Sequence, residues 1–351
     1  MPVVLLPVLI ALNGLDYINL GDPFRHGKIR YSLLLLVPVV FEFFRRRLHW
    51  APAFVGAMAL ASWVLHDFKI LAELPLIEIL GCLSLACFIV RYPSKNFATI
   101  LILSGCFQAV VSLLQWQGIH PWAVPAEKKD WFEMVGTYGH RTVLGPFLVA
   151  CLAPALWERR WAAALLILVT ISMLHSTMTF AALGTLFLVW AWRFMSPLWS
   201  ILLGYFGAIG LGIALYLAPH FSGFDPDGRL YMWSAGLEAV KECPLFGSRI
   251  GGWAQVHLPK YGPGLLKAFG DTIPVQLHSD PLDYAVEFGL PALAVLLAAF
   301  AQFVWRFRAT WCHAACAALL VNSLGNFPFA IISIALVFVI CFTFSMRDDY
   351  A

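Results

Sequence analysis

Long apolar runs, separated by short segments that contain charged residues, recur along almost the whole chain. A helix rises about 1.5 Å per residue and the hydrocarbon layer of a membrane is about 30 Å thick, so roughly 17–25 apolar residues can span it. Several of these runs are shorter, but charge bounds them clearly. They predict about twelve membrane-spanning helices, or eleven without the short, proline-interrupted first run: 2–14, 31–44, 51–66, 70–90, 97–116, 142–157, 161–175, 179–194, 198–217, 282–305, 309–324 and 328–346.

The composition also indicates a membrane protein. Of 351 residues, 61% are hydrophobic and 12% charged, whereas about a quarter of the residues in a soluble domain are charged. The net charge of +3 and the lack of a basic patch interleaved with aromatics argue against nucleic-acid binding. The eight cysteines form no CxxC pair, and no Walker loop or HExxH motif occurs. We therefore predict an all-α polytopic bundle without a metal, a cofactor or a nucleic-acid partner.

Lysine and arginine collect in alternate short loops, which predicts the orientation of the spans. Short loops rich in basic residues face the cytoplasm. The basic loops are RRR at 45–47, RYPSK at 91–95, ERR at 158–160, WRF at 192–194 and WRFR at 305–308. Both termini then face the cytoplasm, and the two longer loops, at 117–141 and 218–281, lie on the outer side. Long loops of this kind usually have a function beyond connecting spans.

The predicted organisation is a single integrated membrane domain with three parts. Residues 1–217 form an N-terminal bundle of about nine spans, which includes the smaller outer loop. Residues 218–281 form a long, partly helical outer loop. Residues 282–351 form three C-terminal spans.

The first half of the long loop reads FDPDGRLYMWSAGLEAVKECPLFG and predicts a helix. Asp227 can cap this helix and Pro244 ends it. Arg229 would lie in the first turn, where free backbone N–H groups and a guanidinium together suit a phosphate. A solvated arginine on a loop helix is the alternative. The apolar residues of the helix repeat at helical spacing and predict a stripe that could lie on the membrane surface: Trp233, Leu237 and Val240.

The stretch HSDPLDY joins the long loop to the next apolar run. Pro281 suits the first turn of a helix that Ser279 or Asp280 would cap, and Asp283 would complement its dipole. His278 then lies just outside the helix, at the outer membrane surface. There an imidazole can accept a proton and a nearby carboxylate can orient it. The same position also suits a polar interfacial anchor.

Three further basic residues at the outer side are candidate anion contacts. His140 and Arg141 lie where the loop 117–141 meets the next span, and Arg249 lies in the glycine-rich segment PLFGSRIGGW. Interfacial snorkelling accounts for the first two equally well, and the glycines around Arg249 would serve any irregular loop. The segment KYGPGLLK at 260–267 predicts a turn with solvated lysines.

Several of these motifs, taken in order, resemble the O-antigen ligase and polymerase superfamily. They are VVSLLQWQG, GTYGHRTVLGPFL, GRLYMWSAGLEAVKECPLFGSRIGGW, HSDPLDYAVEFGLPALAVLL and LVNSLGNFPFAIISIAL, and the resemblance extends over roughly residues 70–346. It implies a metal-independent glycosyltransferase of the bacterial inner membrane. Such an enzyme moves a glycan from undecaprenyl diphosphate to a hydroxyl of a lipid or glycan acceptor on the outer face.

Two residues of this sequence match functional residues of that superfamily. His278 matches its essential histidine, and Arg229 matches its loop arginine before a tryptophan. The superfamily commonly has a further arginine at the outer start of a span, where HSTMTFAALG has Met178. Arg141 or Arg249 could replace it. The resemblance and the absence of a carboxylate nucleophile beside His278 together imply a single displacement with inversion.

Other functions remain open from the sequence. Within the superfamily, a ligase, a polysaccharide polymerase and a protein O-oligosaccharyltransferase share these motifs. A lipid-glycan transporter would be expected to have charges at the membrane midplane, broken helices and internal repeats, of which the sequence has little. A non-catalytic scaffold of an envelope assembly is the third alternative.

Overall fold

The computed structural model describes residues 95–119, 134, 136, 141–174, 176–194, 229–248, 252–269, 277–326 and 332–345. Within these ranges the chain is all-helical and has no β-strand. The helices are α1 (Lys95–Trp116), α2 (Arg141–Trp157), α3 (Trp161–Met173), α4 (Thr177–Trp192), α5 (Arg229–Glu242), α6 (Leu258–Phe269), α7 (Asp280–Trp305), α8 (Trp311–Ser323) and α9 (Ile332–Ser345). A π-helical turn, Trp253–His257, immediately precedes α6.

Every predicted span that lies in the described ranges coincides with one helix: α1, α2, α3, α4, α7, α8 and α9. Their ends agree with the predicted ends to within four residues. Phe97–Trp116 and Asp280–Trp305 are long and apolar enough to cross a membrane, and α2, α3, α4 and α8 are shorter apolar helices. The predicted spans 2–14, 31–44, 51–66, 70–90 and 198–217 lie outside the described residues.

Helices α2 and α8 form the centre of a helical bundle. Helix α2 contacts α1, α3, α4 and α8, while α8 also packs closely on α4 and α9. Both central helices are apolar on all sides, which is the pattern of a helix surrounded by others. Small side chains let the neighbouring backbones approach closely, as helices in membranes require. The fully buried residues include Leu144, Phe147, Leu148, Ala150, Cys151, Leu152 and Ala153 of α2, and Ala314, Ala315, Cys316, Ala318 and Leu319 of α8.

One of these close approaches depends on a glycine. A Cβ atom at Gly145 of α2 would lie 2.0 Å from the Oγ1 of Thr179 in α4. No side chain fits in that space, so glycine determines how near α2 and α4 come. In contrast, a Cβ atom at Gly184 of the same helix α4 would meet nothing within 4 Å.

The loops between these helices sort into two groups at opposite ends of the bundle. At one end, the Asn326 side chain donates to the Thr142 carbonyl and the Asp280 N–H donates to the Asn326 carbonyl. We call this the His278 end. At the other, the Trp157 indole donates to the Ala309 carbonyl, beside the basic segments 158–160, 192–194 and 305–308; we call it the basic end. The alternation is the one that the predicted orientation requires, and which end faces the cytoplasm stays a prediction.

A second layer of structure covers the His278 end. Helices α5 and α6, the π-helical turn and the first turns of α7 share a small apolar core of their own: Met232, Ala235, Ala239, Val240, Trp253, Leu277, Ala285 and Val286. We call this the outer layer. Within this layer, the closest packing between two elements is that of α5 against α7.

The face that α5 buries differs from its predicted apolar stripe, and contact of that stripe with a membrane surface stays a prediction. The residues that α5 buries against α7 are Met232, Ala235 and Ala239, with Val240 beside them, whereas Leu237 is 56% exposed. Trp233 is partly buried against the same core. The reason is that α5 packs against another helix, so small residues face the contact and the leucine lies outside it.

The prediction of a turn at 260–267 is wrong, because the structure has a helix there. The segment belongs to helix α6, Leu258–Phe269, which continues directly from the π-helical turn and contains Pro263. Lys260 extends to the solvent but bonds to Glu242 of α5. The prediction gave weight to the glycine and proline of YGPG, whereas packing against α5 and Trp253 keeps the segment helical.

Candidate functional site

His278 lies between the outer layer and the bundle, immediately before α7. Its φ is +52°, in the left-handed region that side chains other than glycine rarely adopt. The residues on either side, Leu277 and Ser279, are buried, while the imidazole is partly exposed. A non-glycine residue in this conformation costs about 1 kcal/mol or more, so the surrounding contacts have to hold it there.

Two hydrogen bonds to Leu277 hold the backbone just before His278. The Trp233 indole N–H of α5 donates to the Leu277 carbonyl at 3.1 Å. The Leu277 N–H donates to the Asp283 carboxylate at 3.4 Å, one turn into α7. Leu277 itself is fully buried, so these two bonds hold its main chain within a packed environment. Trp233 and Asp283 thus both act on the conformation of His278.

The backbone just after His278 is tied to the bundle. Ser279 occupies the N-cap position of α7, although its side chain makes no capping hydrogen bond. Helix α7 begins at Asp280, one residue before the predicted start, and the Asp280 N–H donates to the Asn326 carbonyl at 3.3 Å. The Asn326 amide donates to the Thr142 carbonyl at 2.9 Å. Asn326 therefore connects the His278 segment to the first turn of α2.

The predicted site residues fall into two groups. His278, Asp280, Asp283 and Trp233 are described completely, and the structure brings them together. Arg229 and Arg141 are the first residues of α5 and α2, respectively, and only their backbone is described. Arg229 precedes Trp233 by four residues, a rise of about 6 Å along the helix. His140 and Arg249 lie outside the described residues.

Met178, where the resemblance implies an arginine, lies at the same end of the bundle. A Cβ atom at Gly325 would lie 2.9 Å from the Met178 sulfur, so the two residues are in close contact. Gly325 directly precedes Asn326, which binds the start of α7. Met178, where the sequence differs from the superfamily pattern, thus contacts the residue next to Asn326, and the Asn326 carbonyl holds the His278 segment.

Helix α7 is interrupted within its first half. Gly289 has a φ of +83° and a ψ of 174°, which are not helical angles. Two backbone groups that the interruption leaves without helical partners bond to the outer layer instead. The Leu290 N–H donates to the Pro244 carbonyl at 2.8 Å, and the Ser248 N–H donates to the Val286 carbonyl at 2.8 Å. Helix α7, which covers the predicted span 282–305, therefore has a break at Gly289, and the segment 244–248 after α5 bonds to both sides of it.

A second group of titratable residues lies in the outer layer, and the sequence analysis missed it. The Glu242 carboxylate accepts hydrogen bonds from Lys260 and from the Tyr261 hydroxyl, and its second oxygen lies 3.7 Å from the His257 Nδ1. The rings of Trp253, His257 and Tyr261 form a triangular cluster, in which each pair of ring centroids is 6.2–6.4 Å apart. The missed signal was the spacing of four residues between these three rings, which is helical.

The charges of this group follow from its contacts. The Lys260 hydrogen bond lowers the pKa of the Glu242 carboxyl, and the same bond raises the pKa of Lys260. Burial lowers the pKa of the His257 imidazole below its ordinary value, although Glu242 partly opposes this. Neither ring nitrogen of His257 has a hydrogen-bond partner within the described part of the chain. His257 is therefore a neutral, buried ring near neutral pH.

The arrangement at His278 suits proton transfer at a membrane surface. A partly exposed imidazole, held by its neighbours on both sides, can accept a proton from a hydroxyl that binds beside it. Among the described residues, no group of three or more His, Cys, Asp or Glu side chains could hold a metal ion.

Comparison with known proteins adds no assignment to this geometry. The chain matches no protein-family model and no curated protein. The resemblance of its motifs to the O-antigen ligase and polymerase superfamily therefore stays an expectation, and a function has to be argued from the residues of the site.

Proposed function

We propose that the protein is a membrane glycosyltransferase of the O-antigen ligase type, with His278 as its general base. The substrate would be a glycan on undecaprenyl diphosphate, and the acceptor a hydroxyl of a lipid or glycan on the outer face of a bacterial inner membrane. The proposal includes the bundle of about twelve spans with both termini in the cytoplasm, since the His278 end is then the outer end.

The observation on which the proposal depends is the conformation of His278. A histidine with a left-handed φ of +52° is unfavourable by itself, and such strain concentrates at functional sites. A polar anchor at a membrane interface would need no such conformation. Trp233 and Asp283 bond to Leu277 just before His278, and Asn326 bonds to Asp280, two residues after it. This is the support expected for a reacting group.

The donor would be held by cations. Its diphosphate has to be bound at the membrane surface, and arginines provide bidentate contacts without a metal ion. Arg229 starts α5, where the free N–H groups of the first turn favour an anion. Arg141 starts α2 next to Thr142, which Asn326 joins to the start of α7. His140 and Arg249 complete the proposed set of diphosphate contacts.

The proposed reaction is one displacement at the anomeric carbon. The acceptor oxygen forms the new bond to this carbon as its proton passes to the imidazole of His278. The bond from the anomeric carbon to the diphosphate oxygen breaks, and undecaprenyl diphosphate leaves with the electron pair. Arginine contacts stabilise the charge that develops on the leaving group. Because attack and departure occur on opposite faces of the sugar, the configuration inverts.

The interruption of α7 is relevant to the alternative of a lipid-glycan transporter. Carriers place broken helices at the site where they bind their substrate, with unpaired backbone groups directed at it. Here Pro244 and Ser248 already bond to backbone groups on either side of Gly289. This favours an interruption that fixes the outer layer in place, as a site for chemistry on one face needs. A polymerase or a protein O-oligosaccharyltransferase would use the same site with another acceptor.

The test is a strain that lacks the protein, analysed for its surface glycan and its lipid-linked intermediates. Full-length polymer that accumulates on undecaprenyl diphosphate indicates a ligase, and single repeats on the final acceptor indicate a polymerase. Intermediates that accumulate on the cytoplasmic side would contradict both assignments and support a transporter.

A further inference from the structure

The basic end of the bundle contains a cavity that the proposed reaction does not use. It has a volume of about 310 Å³ and lies between the ends of α2, α4 and α9 and the segment that leads into α8. Among the described residues that line it are Trp157, Arg193, Arg308, Thr310, Trp311 and His313. This end is opposite to His278, so the cavity belongs to a different site.

We propose that this cavity binds a phosphate group, and that the headgroup of an anionic phospholipid supplies it. Two arginines, Arg193 and Arg308, bring positive charge to the cavity, and none of the described residues that line it is acidic. Guanidinium groups bind phosphate oxygens in a bidentate manner. Basic pockets between helices on the cytoplasmic side are suited to anionic lipid headgroups.

An aromatic ring contacts one arginine of the cavity. The guanidinium of Arg193 lies 5.2 Å from the centre of the Trp157 ring. A cation over an aromatic face can direct its N–H groups sideways, away from the ring, where an anion can accept them. The Trp157 indole also donates to the Ala309 carbonyl at 3.1 Å, next to Arg308. Trp157 therefore contacts the side chain of Arg193 and the backbone of the segment that contains Arg308.

The start of α8 adds neutral donors and an unsatisfied nitrogen. The first N–H groups of a helix have no helical partners and favour anions. Thr310 caps α8 by accepting from the His313 N–H, and its hydroxyl lies 2.9 Å from the His313 Nδ1. The other ring nitrogen of His313 is buried and has no hydrogen-bond partner among the described residues. A ligand oxygen or an ordered water in the cavity would satisfy it.

The surroundings favour a lipid over a soluble phosphate. Large aromatic side chains are exposed at this end of the bundle: Trp161 (57%), Phe194 (71%) and Trp305 (90%). Exposed tryptophans at the end of an apolar helix are typical of a membrane interface. The lining also includes the apolar rings of Trp311 and Phe344, which suit the glycerol and first acyl carbons below a headgroup.

The experiment uses the full-length protein in phosphatidylcholine micelles. It is titrated with phosphatidylglycerol and, separately, with inorganic phosphate, and the apparent Kd is obtained from the rise in Tm. The test variants are Arg308→Gln and the double variant Arg193→Gln, Arg308→Gln. The matched control is Arg160→Gln, which removes an exposed positive charge from the same end outside the cavity. The Tm in phosphatidylcholine alone checks that each variant is folded.

We expect phosphatidylglycerol to stabilise the wild-type protein and the Arg160→Gln variant alike. The Kd of the double variant should rise by about tenfold or more, because two charge-assisted contacts are lost, and Arg308→Gln should lie between. If phosphatidylglycerol stabilised the double variant and the wild-type protein equally, the proposed binding site would be contradicted. Stabilisation by inorganic phosphate but not by phosphatidylglycerol would support a phosphate-binding site and would contradict the proposal that a lipid headgroup supplies the phosphate.

Discussion

The bundle and the outer layer are stabilised by different kinds of contact. In the bundle, α2 and α8 are buried on all sides by apolar and small residues, and polar groups such as Ser112 and Thr170 bond to the backbone of their own helix. The outer layer has a small core and contains a left-handed histidine, an interrupted helix and a π-helical turn. Regular packing stabilises the first region, while specific polar contacts hold the second.

This difference indicates where the function lies. Departures from regular structure are costly and persist where they are needed, most often at functional sites. In the described ranges most of them lie around α5 and the first half of α7, at the end of the bundle that includes His278, and Arg159 at the basic end also has a positive φ of 56°. The bundle, in this account, supports that site, and substitutions in the two regions should have separable effects.

The largest effect on stability is expected inside the bundle. Leu148→Ala removes a fully buried side chain from α2 and should lower the free energy of unfolding by about 2–5 kcal/mol. Leu165→Ala is the matched control, since Leu165 is 63% exposed on α3. Thermal unfolding in detergent measures both. If the two variants lost the same stability, α2 would not be the centre of the core.

A smaller effect is expected at the interruption of α7. Gly289→Ala places a side chain at a φ of +83° and brings a Cβ atom to within 2.5 Å of the Leu245 carbonyl. It should cost about 1–3 kcal/mol and loosen the outer layer more than the bundle. Hydrogen exchange of α5 against α2 measures this.

The control for this variant is Gly184→Ala, in an open helical position of α4. It should leave the exchange of α5 unchanged and slightly stabilise the helix. Faster exchange throughout the bundle in Gly289→Ala would show that the two regions are not separable.

The next prediction concerns the bond that precedes His278. Trp233→Phe keeps most of the ring but loses the hydrogen bond to the Leu277 carbonyl, which is worth about 0.5–1.5 kcal/mol. Glycan transfer should fall severalfold while the Tm changes little. The matched control is Trp305→Phe, since Trp305 is 90% exposed at the opposite end. Unchanged transfer in Trp233→Phe would remove the positioning role of that tryptophan.

The smallest effect is a pH dependence of the outer layer. Burial lowers the pKa of His257 from its ordinary 6.5. At pH values between this lowered pKa and 6.5, the unfolded state therefore binds more protons than the folded state. Stability is therefore complete above about pH 6.5 and is lost as the pH falls below it. The protection factors of α5 and α6 against hydrogen exchange, which are corrected for the intrinsic exchange rate at each pH, should fall from about pH 7 to about pH 5.

The control for this pH dependence is His257→Phe, which keeps a ring in contact with Trp253 and Tyr261 and removes the titrating group. The fall in the protection factors between pH 7 and 5 should disappear in this variant. Glu242 contributes in a lower window, below its ordinary 4.5, because Lys260 lowers its pKa. An equal fall in the variant would assign the effect to other groups.

The sequence was sufficient to predict the helices of the bundle because their apolar runs are bounded by charge. It also predicted the start of α7 near Asp280, since Ser, Asp and Pro in that order are typical of a helix start. Packing between elements was harder to predict. The buried face of α5, the helix at 258–269 and the interruption at Gly289 all depend on which helices meet, and that information is not local.

The candidate site, too, could be predicted only in part from the sequence. His278, Asp283 and Trp233 were recognised from motifs and caps, and the structure brings them together through Leu277. Asn326 was missed, because it acts through its backbone and amide on segments far away in sequence. The left-handed conformation of His278 also could not be predicted, since it results from contacts on both sides of the residue.

The most direct test of the central claim is glycan transfer by the purified His278→Asn variant. Asparagine tolerates a left-handed φ, so the backbone is retained and only the base is removed. With an undecaprenyl-diphosphate-linked glycan and an acceptor on which the wild-type protein is active, transfer should fall by about 100-fold or more, with the Tm unchanged. A rate close to that of the wild-type protein would contradict the role of His278 as the base.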